Sequence, residues 1–278
     1  MGVNMRQVSH SEITTYLDCQ KKWDLVYNQG LKIDNVHLQF GSMGHTVLET
    51  RVIPDESLYC DLKETFGITS WKNYFERIFA ELDEYFKDYE ILYREYRVET
   101  QYIKGVVDVV WKHKETGKIL ITDYKFSNKD KGQEDILLDE QMYIYAVAYA
   151  TLNNLTLEDI DIGYINIPKC EFKKPRVLKN GGLSKDKAQN TTYLLYVEAI
   201  EENGLDMRDY EDILAELSDK RMCTIAISEI NNEMAIRIMT NIDNVIADMD
   251  KGYVLEKCTF QCKYCDFIQY CKYEKEIK

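Results

Sequence analysis

Apolar residues along the chain recur at three- and four-residue steps in some stretches and at alternate positions in others. Ile13, Tyr16, Leu17, Gln20 and Trp23 share one stripe, and Ser9 with Glu12 has capping-box spacing. This predicts an N-terminal helix that carries Cys19 within it. The strongest periodic signal runs through Trp71, Tyr74, Phe75, Ile78, Phe79, Leu82, Tyr85, Phe86 and Tyr89 and predicts a second helix with a core-facing side. From Arg97 the period becomes two: Val98, Thr100 and Tyr102 begin a strand that runs through Gly105 into Val106–Trp111. Glu115, Thr116 and Gly117 signal a turn, and Lys118–Lys125 returns as another strand. Asp139–Leu152 reads as a buried helix and Ile160–Ile167 as a further strand. The remainder reads as mainly helical, notably Ile230–Met249 with Met234, Ile238, Ile242, Val245 and Met249 aligned. Strands followed by a packed helix and another strand indicate an α/β chain with a sheet flanked by helices.

Composition narrows the class. A chain of 278 residues with 45% apolar content is globular and long enough for one large domain or two small ones. Three prolines and no Gly/Ser-rich linker mark no boundary, so residues 1–278 are expected to form a single domain. The longest apolar run, Met142–Ala150, is well short of the ~20 residues of a spanning helix, and no membrane contact is expected. The N-terminus lacks a charged-then-apolar leader, and Arg6 stands where a myristoylation motif wants Ser or Thr, which points to a cytoplasmic location. In such a compartment eight cysteines are better metal ligands or buried thiols than disulfides. The net charge of −13 has the wrong sign for a simple nucleic-acid coat.

Candidate chemistry changes that last inference. Asp108 lies in GVVDVVW, where a charge among apolar strand residues is costly unless it is paired or coordinated. Asp123 and Lys125 leave one face of the next strand, and Asp108 approaches that face if the hairpin has the obvious register. Converging carboxylates suit a hard cation such as Mg²⁺, and a nearby ammonium can orient a water. An ordinary surface Asp–Lys pair is the alternative. The order Asp108, Asp123-Tyr124-Lys125, then Gln141 and Tyr145 on the following helix resembles the PD-(D/E)XK nuclease superfamily. More narrowly, it resembles the RecB-type branch that includes the CRISPR adaptation nucleases and the AddB nuclease domain. A histidine precedes the acidic residues in that branch, and Gly41-Ser-Met-Gly44-His45 stands in the matching place.

The resemblance implies a restriction-endonuclease-like central mixed sheet flanked by helices, with N- and C-terminal segments joined by a metal cluster. It implies Mg²⁺ or Mn²⁺ held by His45, Asp108, Asp123 and the Tyr124 backbone carbonyl. Lys125 would support the attacking water, and Gln141 and Tyr145 would line the site or hold DNA. Glu95 in REYRVET matches an acidic residue that some members carry. The implied activity is hydrolysis of phosphodiester bonds in DNA, by exonuclease action on ends or single strands, with binding strongly dependent on the divalent metal. Two other readings stay open: a non-hydrolytic DNA-binding or assembly subunit of a recombination, replication or spacer-acquisition complex, and an RNA nuclease.

Cys262-x2-Cys265-x5-Cys271 at the C-terminus with Cys19 near the start resembles the iron–sulfur staple of the same branch, which implies a [4Fe–4S] cluster formed by residue 19 plus 258–271. Cys258 with the three C-terminal cysteines offers instead a local Zn²⁺ site, leaving Cys19 a buried thiol. Cys60, Cys170 and Cys223 read as core residues. Residues 168–226 read as a basic loop followed by a helical insertion. Within Lys169–Lys187, seven basic residues face two acidic ones, and Lys173, Lys174, Arg176 and Lys179 are candidate DNA contacts; a solvated lysine-rich loop is the equal alternative. Acid concentrates in residues 201–216, read as a solvated helical face.

Overall fold

The structure, a computed structural model, describes residues 7–186, 188–252, 254–255 and 260–271. One mixed sheet has the order β1-β2-β3-β4-β5, from β1 (Tyr89–Glu99), β2 (Lys104–His113), β3 (Ile119–Phe126), β4 (Ile160–Ile167) and β5 (Thr224–Glu229). Neighbouring strands are antiparallel except for the parallel pair β3/β4. The helices among the described residues are α1 (His10–Asp18), α2 (Gln20–Trp23), α3 (Val36–Thr50), α4 (Cys60–Phe66), α5 (Trp71–Tyr85), α6 (Gln133–Leu137), α7 (Glu140–Asn153), α8 (Tyr193–Glu202), α9 (Glu211–Leu217) and α10 (Asn232–Met249). A parallel strand pair needs a crossover, and α6 and α7 supply it between β3 and β4.

Alternation along β3 builds two cores. Ile119 and Ile121 pack with Ile13 of α1, Met142 of α7 and Ile238 of α10. Leu120 and Tyr124 point the other way, to Phe40 and Val47 of α3 and Trp71, Phe75 and Ile78 of α5. With both faces covered, β3 and β4 are buried almost throughout, and the sandwiched helix α7 is buried along most of its length. A third core, with Tyr196, Ile200, Ile213 and Leu217, closes α8 on α9. Glu211 and Asp212 stay on the solvent side of α9, as the acidic stretch predicts.

Five expectations need correction. Cys19 does not continue a helix: its extended backbone (φ −160°, ψ 109°) separates α1 from α2. Leu17 is consequently half exposed, while Tyr16 and Trp23 stay buried and meet edge to face. The aromatic periodicity outruns its helix: α5 ends at Tyr85, Phe86 stacks on Trp111 of β2 at 4.0 Å, and Tyr89 already belongs to β1. The stretch from Val98 to Trp111 is two strands joined by a turn in which the Thr100 hydroxyl accepts from the Ile103 N–H (3.0 Å). Part of the region read as helical is β5, a six-residue edge strand too short and too half-buried for its alternation to stand out. Cys223 is buried and Cys170 partly so, but Cys60 is exposed, because it opens α4 while Leu62 supplies that helix's buried side.

One glycine decides how α3 meets the sheet. A Cβ on Gly44 would lie 2.3 Å from the Phe126 ring, so only glycine lets the helix lie on the end of β3. Gly41, one turn earlier, has nothing within 4 Å of such a Cβ. Gly44→Ala is therefore expected to lower unfolding stability by about 1–3 kcal/mol through overpacking. Gly41→Ala is expected to gain about 0.5–1 kcal/mol through helix propensity. Chemical denaturation of the two variants measures both signs.

Candidate active site

The β2/β3 ladder pairs Val109 with Thr122, and one further step brings Asp108 across from Asp123. On the other side Arg94 pairs with Val109 and Tyr96 with Val107, which sets Glu95 across from Asp108. Three carboxylates thus stand abreast on three adjacent strands. The φ of Glu95 is +49°, in the left-handed region that a non-glycine residue enters at a cost of about 1–2 kcal/mol. That is a local distortion of β1 at the site itself.

Each acid has a different holder. Asp108, 9% exposed, accepts the Tyr124 N–H through Oδ2 (2.7 Å) and faces His45 Nδ1 through Oδ1 (3.4 Å). A strand residue's N–H and C=O leave toward the same neighbour, so the Tyr124 carbonyl lies on the β2 side, just past the paired ladder. Asp123 takes Lys125 Nζ on Oδ2 (2.7 Å) and Gln141 Nε2 on Oδ1 (2.9 Å). Gln141 also accepts from Lys125 Nζ (3.3 Å) and donates to the Tyr145 hydroxyl (3.2 Å), so it ties acid, ammonium and phenol together from α7. Tyr145 reaches this point because β2 has Gly105, where a Cβ would come within 2.7 Å of its ring. His45 arrives from the opposite face on α3, set by Gly44 and packed against Tyr124 and Phe126.

Titration reflects the crowding. Burial, and then the charge of Asp108, raises the Asp123 carboxyl, with Lys125 opposing. Burial and the charges of Asp108 and Glu49 also raise Glu95. For His45, burial disfavours the charged ring, but the hydrogen bond and charge of Asp108, with Asp123 and Glu95 behind it, outweigh this and lift it above its usual value. Burial pushes Tyr145 up to about 12, so its hydroxyl stays protonated. One nitrogen of His45 and one oxygen each of Glu95 and Asp108 lie within 4.8 Å of one another, close enough for a single cation to meet all three.

Of the residues expected at the metal site, His45, Glu95 and Asp108 meet here, and Asp123 stands beside them with its oxygens on Lys125 and Gln141. The four cysteines Cys19, Cys262, Cys265 and Cys271 come together elsewhere, lining one small cavity with Leu25, Phe267 and Ile268. Cys258 and Lys187 lie outside the described residues. The basic segment after β4 is largely committed within the chain. Lys174 pairs with Glu198 (3.3 Å) and Glu202 (2.5 Å), Lys173 donates to the Gly67 carbonyl, and Lys169 to that of His37. Arg176 and Lys179 are exposed.

Sequence reading passed over the ring around the site. Asp139 caps α7, accepting the Gln141 N–H (2.8 Å), and receives the Tyr164 hydroxyl and Lys131 Nζ (3.4 Å). His10, at the start of α1, is held below its usual value by burial, with Lys125 and Lys131 adding and Asp139 opposing. The signal for Asp139 was its place just ahead of an apolar helix, where a short acid serves as cap. Nothing local marks Tyr164 or His10. A cleft of about 400 Å³ opens here, lined by Gly41, His45, Lys125, Ser127, Lys129 and Lys131 among others.

Among solved structures, a candidate exonuclease from Eubacterium rectale aligns at a TM-score of 0.49 and 14% identity over 96% of this chain and 88% of that one. The protein SSO0001 aligns at 0.29 and 14% identity over 94% and 96% respectively. No curated protein matches. A family model for the PD-(D/E)XK nuclease superfamily matches residues 7–272. That match runs from ahead of α1 to beyond Cys271 and contains the three abreast carboxylates with Lys125, and the chain belongs to the PD-(D/E)XK nuclease superfamily.

Proposed function

We propose that the protein is a Mg²⁺- or Mn²⁺-dependent deoxyribonuclease acting on single strands or DNA ends. The observation that carries the reading is the meeting of Glu95, Asp108 and His45 within 4.8 Å, beside an Asp123 bound to Lys125. Carboxylates raised by burial and by one another's charge fit a cation site, because a cation stabilises their charged forms. The oxygen-rich set of Glu95, Asp108, Asp123 and the Tyr124 carbonyl, with His45 beside it, suits Mg²⁺ or Mn²⁺. When bound, such a cation supplies the positive charge that offsets charge building on the phosphate during cleavage.

The chain's own groups do the rest. Lys125 has three N–H donors. Asp123 and Gln141 hold its ammonium, and the remaining N–H is available to orient the attacking water or a phosphate oxygen. Gln141 fixes the angle of that ammonium, and the protonated Tyr145 in turn holds Gln141. The choice of DNA over RNA, and of ends over interior positions, rests on the resemblance to the RecB-type branch.

We further propose that Cys19, Cys262, Cys265 and Cys271 hold a [4Fe–4S] cluster. Their shared cavity supports this. In such a cluster each thiolate binds its own iron.

Asp108→Asn and Lys125→Ala are each expected to slow cleavage of linear single-stranded DNA by about a thousandfold, a loss of about 4 kcal/mol of barrier stabilisation. Chelator should abolish cleavage by the unaltered protein, and circular single strands and RNA should survive. Undiminished cleavage by either variant removes its assigned role; cut circles would make the enzyme an endonuclease.

Protons compete with the cation for His45, Asp123 and Glu95, and all three hold them to higher pH than usual. The cleavage rate should therefore climb between about pH 6 and 8, and His45→Gln should remove the upper part of the climb. A rate independent of pH in that interval contradicts the assignment. Protein isolated without air should contain iron and acid-labile sulfide, and Cys19→Ser should lose both and melt at a lower temperature. Zinc without sulfide would favour the local C-terminal site that includes Cys258.

A further inference from the structure

The loop after β3 reads Ser127-Asn-Lys129-Asp130-Lys131-Gly132, and its two lysines share the cleft with His45 and Lys125. Its backbone is built in place. The Ser127 N–H donates to the Ile167 carbonyl (3.0 Å), and Asn128 Oδ1 accepts the Lys169 N–H (2.9 Å). Asn166, 1% exposed, takes the Lys131 N–H on Oδ1 and gives its own Nδ2 to the Lys131 carbonyl, both at 3.0 Å. A buried side chain thus clamps one lysine's peptide on both sides. Lys131 Nζ lies over the Tyr164 ring (4.9 Å) and 3.4 Å from Asp139 Oδ2, with its side chain 42% exposed. The charges of Lys125 and Lys131 both act on Asp139 and His10. The Lys129 ammonium is exposed and makes no ion pair among the described residues. Two acids line the cleft with them: Asp130 accepts the Thr224 hydroxyl (2.7 Å) and Asp135 the Gly132 N–H (2.8 Å).

Rigidly presented ammoniums beside a site that cuts a polyanion are suited to its backbone phosphates. We propose that Lys129 and Lys131 grip the phosphate adjoining the one being cut. This loop, not the segment 169–187, is then the phosphate contact of the cleft. The proposal rests on the nuclease reading above. It also follows from position: Lys129 and Lys131 line the cleft with His45 and Lys125, whereas Lys173 and Lys174 are directed to the Gly67 carbonyl, Glu171, Glu198 and Glu202.

The test is steady-state cleavage of a linear single-stranded oligonucleotide at several salt concentrations. Lys129→Ala and Lys131→Ala should raise KM several-fold with kcat kept within about twofold. Each should flatten the slope of log(kcat/KM) against log[salt] by about 0.7, the share of one phosphate contact on a single strand. Lys129→Arg should restore both. Lys174→Ala should behave as the unaltered protein. Lys129 makes no ion pair among the described residues, so its variant separates charge from structural damage at Lys131. Unchanged KM and slope in Lys129→Ala and Lys131→Ala, in an enzyme that cleaves, overturn this inference alone, as does a slope change that appears only in Lys174→Ala. An unaltered protein that cleaves no DNA overturns the nuclease reading and this inference with it.

Discussion

Repulsion among carboxylates set side by side is the constraint around which the site is arranged. Glu95 and Asp108 reach within 4.8 Å of each other. Two like charges at that distance repel by about 3–4 kcal/mol at an effective dielectric of about 20. Asp123 adds a third charge to the row. The sheet brings in compensation from every side: the Tyr124 N–H on Asp108, the Lys125 ammonium on Asp123, and the His45 ring from the facing helix. Burial, with the charge of Asp108 behind it, still raises the titration of Asp123 and Glu95, and a cation would favour their charged forms. The elements around it follow from this need: α3 lies close on Phe126 because His45 must arrive, and α7 begins at Asp139 so that Gln141 can reach Asp123.

Much of the site was legible because its pieces are local. Asp123 and Lys125 are two apart on one strand, Gln141 and Tyr145 four apart on one helix, and a charge within GVVDVVW stands out against its neighbours. These spacings place side chains on a common face without knowledge of the fold. Glu95 was harder, since it becomes adjacent to Asp108 only through the β1/β2 register, and it sits in a left-handed conformation that no pattern of residues announces. Tyr164 and His10 left no local trace, because they join the ring around Asp139 from elements distant in sequence.

Charge behaved in the same way. The excess of acid over the whole chain suggested a poor match to nucleic acid, and the run of lysines after β4 suggested where the exception lay. The fold redistributes both. Glu198 and Glu202 of α8 take up Lys174, while Lys129 and Lys131, only two positions in a short mixed-charge loop, face the cleft. Exposed charges beyond about 10 Å are screened at ordinary ionic strength, so the sign of a few groups at the cleft outweighs the total.

By itself the sequence determined the α/β class, the strands β3 and β4 with their crossover helix, the long helices α5 and α10, and the identity of most acids, bases and thiols that converge. Each of these follows from period, from capping or from a polar residue in an apolar setting, which are short-range constraints. The tertiary structure decided the break at Cys19 that lets it face the C-terminal cysteines, the hairpin between β1 and β2, the edge strand β5, and which lysines line the cleft. Those outcomes depend on partners far away along the chain, and a local pattern cannot encode a neighbour that only folding brings near.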